Sequence, residues 1–134
     1  MTVSLAGLPK GHEFAPKTLK LKPEWVAEYR AAVADENTPS SIVPPLALAT
    51  LTLRSLLEQA ALPRGAIHVS QELISFKAVK PGDAVVAKAR IGSKGERAGW
   101  VLLAVELEVA EEAGDTVTSG RATITFPAVA EVVE

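Results

Sequence analysis

The sequence predicts an α+β domain in which a long antiparallel sheet wraps around one central apolar helix. Three observations predict it. A helix-like run near residues 43–62 is apolar on almost every side, everything after Arg64 reads as strand, and strong turn signals separate the extended runs. With 134 residues and ample apolar content, the chain suits one domain over residues 1–134.

The segment Phe14-Ala-Pro-Lys-Thr-Leu-Lys-Leu21 alternates weakly and reads as a short first strand. Pro23-Glu24-Trp25 then opens a helix, since proline suits a first turn and an acid complements the positive end of the helix dipole. Trp25, Val26, Tyr29, Ala32 and Val33 recur at spacings of three and four, which gives about three turns. The central helix starts near Pro44-Pro45 and runs to about Ala61. Leu46, Ala47, Leu48, Ala49, Leu51 and Leu53 leave almost no polar face in its first half, and Arg54, Ser55, Glu58 and Gln59 make the second half amphipathic. At about eighteen residues it would be roughly 27 Å long. A helix apolar all round must be wrapped by other structure.

Four extended runs follow: Ala66 to Phe76, Ala84 to Gly92, Gly99 to Ala110 and Thr116 to Phe126. Pro81-Gly82-Asp83, Gly92-Ser-Lys-Gly95 and Glu112-Ala-Gly-Asp115 are the breaks between them. In the third run Val101, Leu103, Val105, Leu107 and Val109 form one apolar face, while Glu106 and Glu108 mark the other as solvated. Runs of about eleven residues span about 36 Å, long for strands. One apolar helix followed by a meander of long strands is solved by curling the sheet around the helix, the hotdog architecture. A single layer of sheet does not cover both its faces, so such domains pair. Trp100 and Leu102, opposite the core-facing valines, either meet a partner or shield a hairpin end.

Composition excludes several functions. The formal net charge is -2 with mixed signs, and no basic cluster suits nucleic acid. There are no cysteines, so disulfides, thiolate metal sites and cysteine nucleophiles are absent. His12 and His68 lack metal-ligand spacing, and no metal or cofactor is expected. MTVSLAGLPK does not read as a signal peptide, and Arg54, Glu58 and Gln59 interrupt the most apolar stretch, residues 43–62, against a membrane span. The expectation is a soluble cytoplasmic domain.

Two segments carry a family resemblance. One is Tyr29-Arg-Ala-Ala-Val-Ala-Asp-Glu-Asn-Thr-Pro39; the other is Ile67-His-Val-Ser-Gln-Glu-Leu73, continuing through Phe76-Lys-Ala-Val-Lys-Pro-Gly-Asp83. Together with the element order, they resemble the MaoC-like (hydratase 2) branch of the hotdog superfamily, from about Gly11 to Pro127. The second segment looks most like the N-terminal dehydratase half of double-hotdog members. The resemblance implies reversible hydration of a 2-enoyl-CoA or acyl-carrier-protein thioester to the 3-hydroxy form. It also implies a homodimer, or a heterodimer with another hotdog subunit.

Such chemistry needs a base to activate water, an acid for the alpha carbon and amide donors for an enolate-like oxygen. In active members an aspartate and a histidine, in a pattern like Asp-x-Asn-Pro-x-His, move the protons. Asp35 and Asn37 match the first part; Ser40 and Ser41 follow Pro39, and no histidine lies between residues 13 and 67. Ser41 has no proton-accepting group near neutral pH. Asp35 is a poor base unless burial raises its pKa. Pro44 and Pro45 lack N–H groups, so oxyanion donors at this helix start would come from Leu46 and Ala47. Asp35 and Asn37 are read either as catalytic remnants or as turn formers. His68, beside Ile67 and Val69, is read as a structural histidine at a core or partner interface, or as a substrate contact. Glu58 on the central helix is the carboxylate a thioesterase would use, though it sits far from the amide donors.

The expectation is therefore a hydratase or dehydratase subunit with a degenerate loop, whose base comes from a partner. The alternatives are a non-catalytic hotdog dimer that holds acyl ligands, or an acyl-CoA thioesterase.

Overall fold

The computed structural model describes residues 3–128. In chain order these form β1 (Val3–Ser4), a 3-10 turn at Leu5–Gly7, β2 (Lys17–Lys20), α1 (Pro23–Ala32), α2 (Pro45–Leu57), β3 (Ala60–Ala61), β4 (Ile67–Ser75), β5 (Ala84–Arg97), β6 (Trp100–Glu111) and β7 (Thr116–Pro127). β2, β5, β6, β7 and β4 build a five-stranded antiparallel sheet in that spatial order, and β1 and β3 form a small parallel pair. The sheet packs on α2 in the α+β hotdog arrangement that the sequence predicts. β2 and β4 are its edges.

The alternation of β6 sets the register. Val101, Leu103, Val105, Leu107 and Val109 are all buried on the face that meets α2. One core cluster gathers Leu5, Phe14, Leu56, Ile91 and Phe126; a second gathers Leu21, Val26, Val43, Leu48 and Val85. Burying each large side chain contributes about 1.5–3 kcal/mol. A slip of one residue would turn all five β6 aliphatics to solvent, so no other register competes. On the opposite face Trp100 and Leu102 are exposed, in register with Pro127 and Thr125 of β7.

Several local features differ from the sequence expectation. α2 spans 13 residues, about 20 Å rather than roughly 27 Å. Its end is set by Gln59, whose side-chain amide pairs with the Ala15 backbone in both directions at 3.0 and 3.1 Å. Ala60 and Ala61 leave the helix to pair with Val3 and Ser4. The first half of α2 is not wrapped on every side either: Ala47, Leu48 and Ala49 are buried, but Leu46 is 53% exposed.

β5 runs straight through the expected break at Gly92–Gly95, with a bulge between Ile91 and Ser93. The chain turns instead at Ala98-Gly99, where φ is 53° and 84°. Two successive positive φ values make the tight hairpin turn that matches strand twist. Gly92 serves another purpose: a Cβ there would lie 2.5 Å from a Glu106 carboxylate oxygen, so glycine leaves room for that side chain. The first strand is shorter than expected because Pro16 has no N–H to donate. Upstream of it, Gly11, His12 and Phe14 still exchange backbone hydrogen bonds with Ile91 and Ala89. In α1 only Val26 is buried; Trp25 and Tyr29 stack half-buried, with ring centroids 5.5 Å apart.

Candidate functional site

The loop between α1 and α2 is built on a left-handed residue. After α1 the chain passes through Ala34 at φ 54°, and the Asp35 N–H donates back to the Arg30 carbonyl at 2.9 Å. That is a Schellman closure with alanine where glycine is usual. It turns the chain so that the Asp35 side chain faces its own loop. Asp35 Oδ1 accepts from the N–H groups of Asn37 and Thr38, each at 3.0 Å. Arg30 reaches forward and donates to the Thr38 and Pro39 carbonyls. Hydrogen bonds from Thr38, then Asn37, and the nearby Arg30 charge hold the Asp35 carboxyl below the usual aspartate range.

The rest of the loop is open. The Asn37 amide and the Ser41 hydroxyl are exposed and enter no side-chain hydrogen bond among the described residues. Val43 N–H donates to the Val79 carbonyl at 2.8 Å, which ties the loop to the segment before β5. At the start of α2 the Ala47 N–H donates to the Pro44 carbonyl at 2.9 Å. Leu46 is thus the residue whose amide remains for a ligand, beside its own exposed side chain.

The other candidates stand apart from this loop. His68 lies on edge strand β4, opposite Ile124, and is exposed, so it is not a core histidine. His12 packs edge-on against Phe14, with centroids 4.8 Å apart. No hydrogen bond or ion pair joins Asp35 to either histidine among the described residues. Glu58 caps the far end of α2 and is ion-paired with Lys17, whose hydrogen bond and charge lower its pKa. The described residues contain no cluster of three or more His, Cys, Asp or Glu that would hold a metal ion. None of their helices is long and apolar enough to cross a membrane.

Two features were not singled out in the sequence. A groove of about 570 Å³ lies on the sheet face away from α2. Across it Glu13, Arg90, Glu106, Arg121 and Glu72 fall in cross-strand register with alternating charge. Arg90 pairs with Glu106 at 2.8 Å, and Arg121 lies 3.9 Å from Glu72. The other is the free edge of β4, where Ile67, Val69 and Ile74, with Phe76 just beyond, are each more than half exposed. The apolar residues were legible; their exposure depends on β4 being an edge, which only the topology decides.

The sequence matches no family model and no curated protein. The fold does match solved structures. The HadBC (3R-hydroxyacyl-ACP dehydratase) complex from Mycobacterium tuberculosis aligns at a TM-score of 0.71 and 20% identity, over 91% of this chain and 100% of the other. An (R)-hydratase from A. caviae involved in PHA biosynthesis aligns at 0.71 and 23%, over 90% and 98%. A MaoC-like dehydratase from Rhodospirillum rubrum aligns at 0.71 and 15%, over 93% and 97%. At these identities the likeness defines the fold. The chain is a hotdog-fold protein, and the solved structures it resembles include a 3R-hydroxyacyl-ACP dehydratase complex, an (R)-hydratase and a MaoC-like dehydratase.

Proposed function

We propose that this chain is an acyl-thioester subunit of the hydratase/dehydratase class whose own loop lacks a working base. The observation that carries the reading is Asp35: its Oδ1 is occupied by two loop amides and its pKa is lowered. Adding water to a 2-enoyl thioester requires a group that takes a proton from that water near neutral pH. A carboxylate stabilised in its charged form is a weak base. Asp35 therefore acts as a positioning residue that fixes the loop beside the start of α2. Asn37, Ser41 and the Leu46 amide border the ligand there; Ala47, expected beside them, is fully buried in the core with its N–H already donated, and does not reach it.

The proton-transfer groups come from a second hotdog subunit that differs from this chain. Support comes from the β4 edge, whose backbone and apolar side chains are open along a nine-residue strand. Exposed edges of this kind are unusual in proteins that act alone. Exposed Trp100 and Leu102 offer a second apolar surface, and His68 lies on the edge that would meet the partner. The ligand is an acyl-CoA or acyl-carrier-protein thioester. The test is hydration of a short 2-enoyl-CoA by the purified chain. Little turnover is expected, and Asp35→Ala should not lower it. Robust turnover lost in Asp35→Ala would install Asp35 as the base and reject the reading.

A second reading is a hotdog dimer that binds acyl ligands without chemistry, which the occupied Asp35 also favours. Acyl-CoA binding without activity in the presence of any histidine-bearing hotdog partner would select it. A thioesterase built on Glu58 is disfavoured because Lys17 holds that carboxylate in an ion pair.

A further inference from the structure

The sheet face away from α2 is ordered in rows across the strands. In one row Glu13, Arg90, Glu106, Arg121 and Glu72 alternate in sign from the segment before β2 through β5, β6 and β7 to β4. Opposite charges across strands contribute about 0.2–1 kcal/mol each, so sheet stability accounts for this row taken alone. It does not account for the rows beside it. Next along the strands, Ser93, Ala104, Thr123 and Ser70 are all small. Beyond them Leu102, Thr125 and Ile67 share a row, and Trp100 stands opposite Pro127. Trp100, Leu102 and Ile67 are large and exposed, an apolar surface that the fold itself does not cover.

The face carries its own complement. A twofold axis along the strands, midway between β6 and β7, lays the sheet of a second copy over the first with the strands aligned. It sets Glu106 against Arg121 of the second copy and Arg90 against Glu72 of the second copy, and each pairing occurs twice. The same axis sets Leu102 over Thr125 and Trp100 over Pro127, with the small row between allowing close approach. A face of one sign calls for an oppositely charged partner, whereas interleaved signs match the face itself. Arg90 and Glu106 are already paired at 2.8 Å, and the Glu106 carboxylate lies over Gly92, so little ordering is left for association. Five strands about 4.8 Å apart, each about nine residues long, give a face of roughly 24 by 30 Å, close to the ~800 Å² per partner of a stable interface. The groove of about 570 Å³ along the charged row leaves room for water, which limits the cost of desolvating the charges.

We infer that this face joins two copies of the chain about that axis, leaving the β4 edge open for a differing subunit. The inference goes beyond the acyl-thioester reading and does not depend on it.

Sedimentation equilibrium of the full chain, free of ligand, tests this. Wild type should sediment as a dimer at micromolar concentration. Glu106→Arg and Arg121→Glu each place like charges face to face twice, and each should raise the dissociation constant at least about tenfold. Mixed in equal amounts, the two variants should associate at least about tenfold more tightly than either alone, because each supplies the charge that the other has lost. Leu102→Ser leaves the charges untouched and should weaken the dimer about tenfold through lost apolar burial. Circular dichroism checks that each variant folds; where a charge reversal does not, Leu102→Ser alone decides. A wild type that stays monomeric overturns the inference. So does a dimer left intact by Leu102→Ser or by a folded charge reversal, as an edge-to-edge pair would be. A mixture no tighter than its components rules out the axis and the inference with it.

Discussion

Replacing Gly120 by alanine should loosen the join between the β4 edge and the rest of the sheet. Gly120 stands opposite Leu73 of β4 and Leu107 of β6. An added Cβ would lie 2.1 Å from the Glu72 carbonyl oxygen and 3.1 Å from its carbon. The obstructing atoms are backbone, so no side chain can swing aside, and the two strands must part by about 1 Å. A hydrogen bond of ordinary length stretched by that much leaves the effective range. Overpacking costs about 1–3 kcal/mol and each lost ladder bond about 0.5–1.5 kcal/mol. The expected loss is therefore about 2–4 kcal/mol, a fall in Tm of about 8–15 °C for a domain of this size. Gly95 is the matched control, because its added Cβ would meet nothing within 4 Å. Gly95→Ala should stay within about 0.5 kcal/mol of wild type, or gain slightly from the stiffer unfolded chain. Urea denaturation followed by circular dichroism measures both. If Gly120→Ala unfolds at the same urea concentration as Gly95→Ala, the close β4–β7 approach is wrong.

Four other outcomes follow from the loop and the far end of the sheet. Ala34→Gly should raise stability by about 0.5–1 kcal/mol, because a left-handed residue carries a Cβ penalty that glycine avoids; the denaturation midpoint reads it. Asp35→Ala should speed amide exchange at Asn37 and Thr38 about tenfold, since both N–H groups lose their acceptor. The Asp35 pKa is lowered on folding, so its stabilising contribution is present above the ordinary aspartate value of about 3.9 and fades as pH falls through the lower folded value. Wild type and Asp35→Ala should accordingly differ in stability at neutral pH and converge in strong acid. Lys77 is raised by Glu111 and then Asp115, so its contribution is present below about pH 10.4 and fades as pH rises through the higher folded value. Lys77→Met should therefore differ from wild type at pH 8 and approach it in strong alkali.

The fold was legible wherever one physical rule acted alone. The β6 alternation gives a face of five buried aliphatics, and no competing pattern obscures it. The Gly92–Gly95 break failed because glycine has two uses: turning the chain, and making space. Only the partner strand shows that Gly92 faces Glu106. The end of α2 was overrun for a similar reason. Helical periodicity continues through Gln59, but a tertiary contact with Ala15, distant in sequence, diverts the chain. Asp35 and Asn37 were visible as a motif, while the choice between proton transfer and loop closure depends on the angle set by Ala34.

The central claim is that this chain contributes a thioester-binding half and leaves proton transfer to another subunit. The direct measurement is the initial rate of 2-enoyl-CoA hydration by this chain, with and without a hotdog subunit that carries an Asp-x-Asn-Pro-x-His loop. The expected rate is near background for the chain alone, with a rise of at least about a hundredfold on mixing and no further dependence on Asp35 as a base. Full activity of the chain alone, abolished by Asp35→Ala while the fold persists, would contradict it.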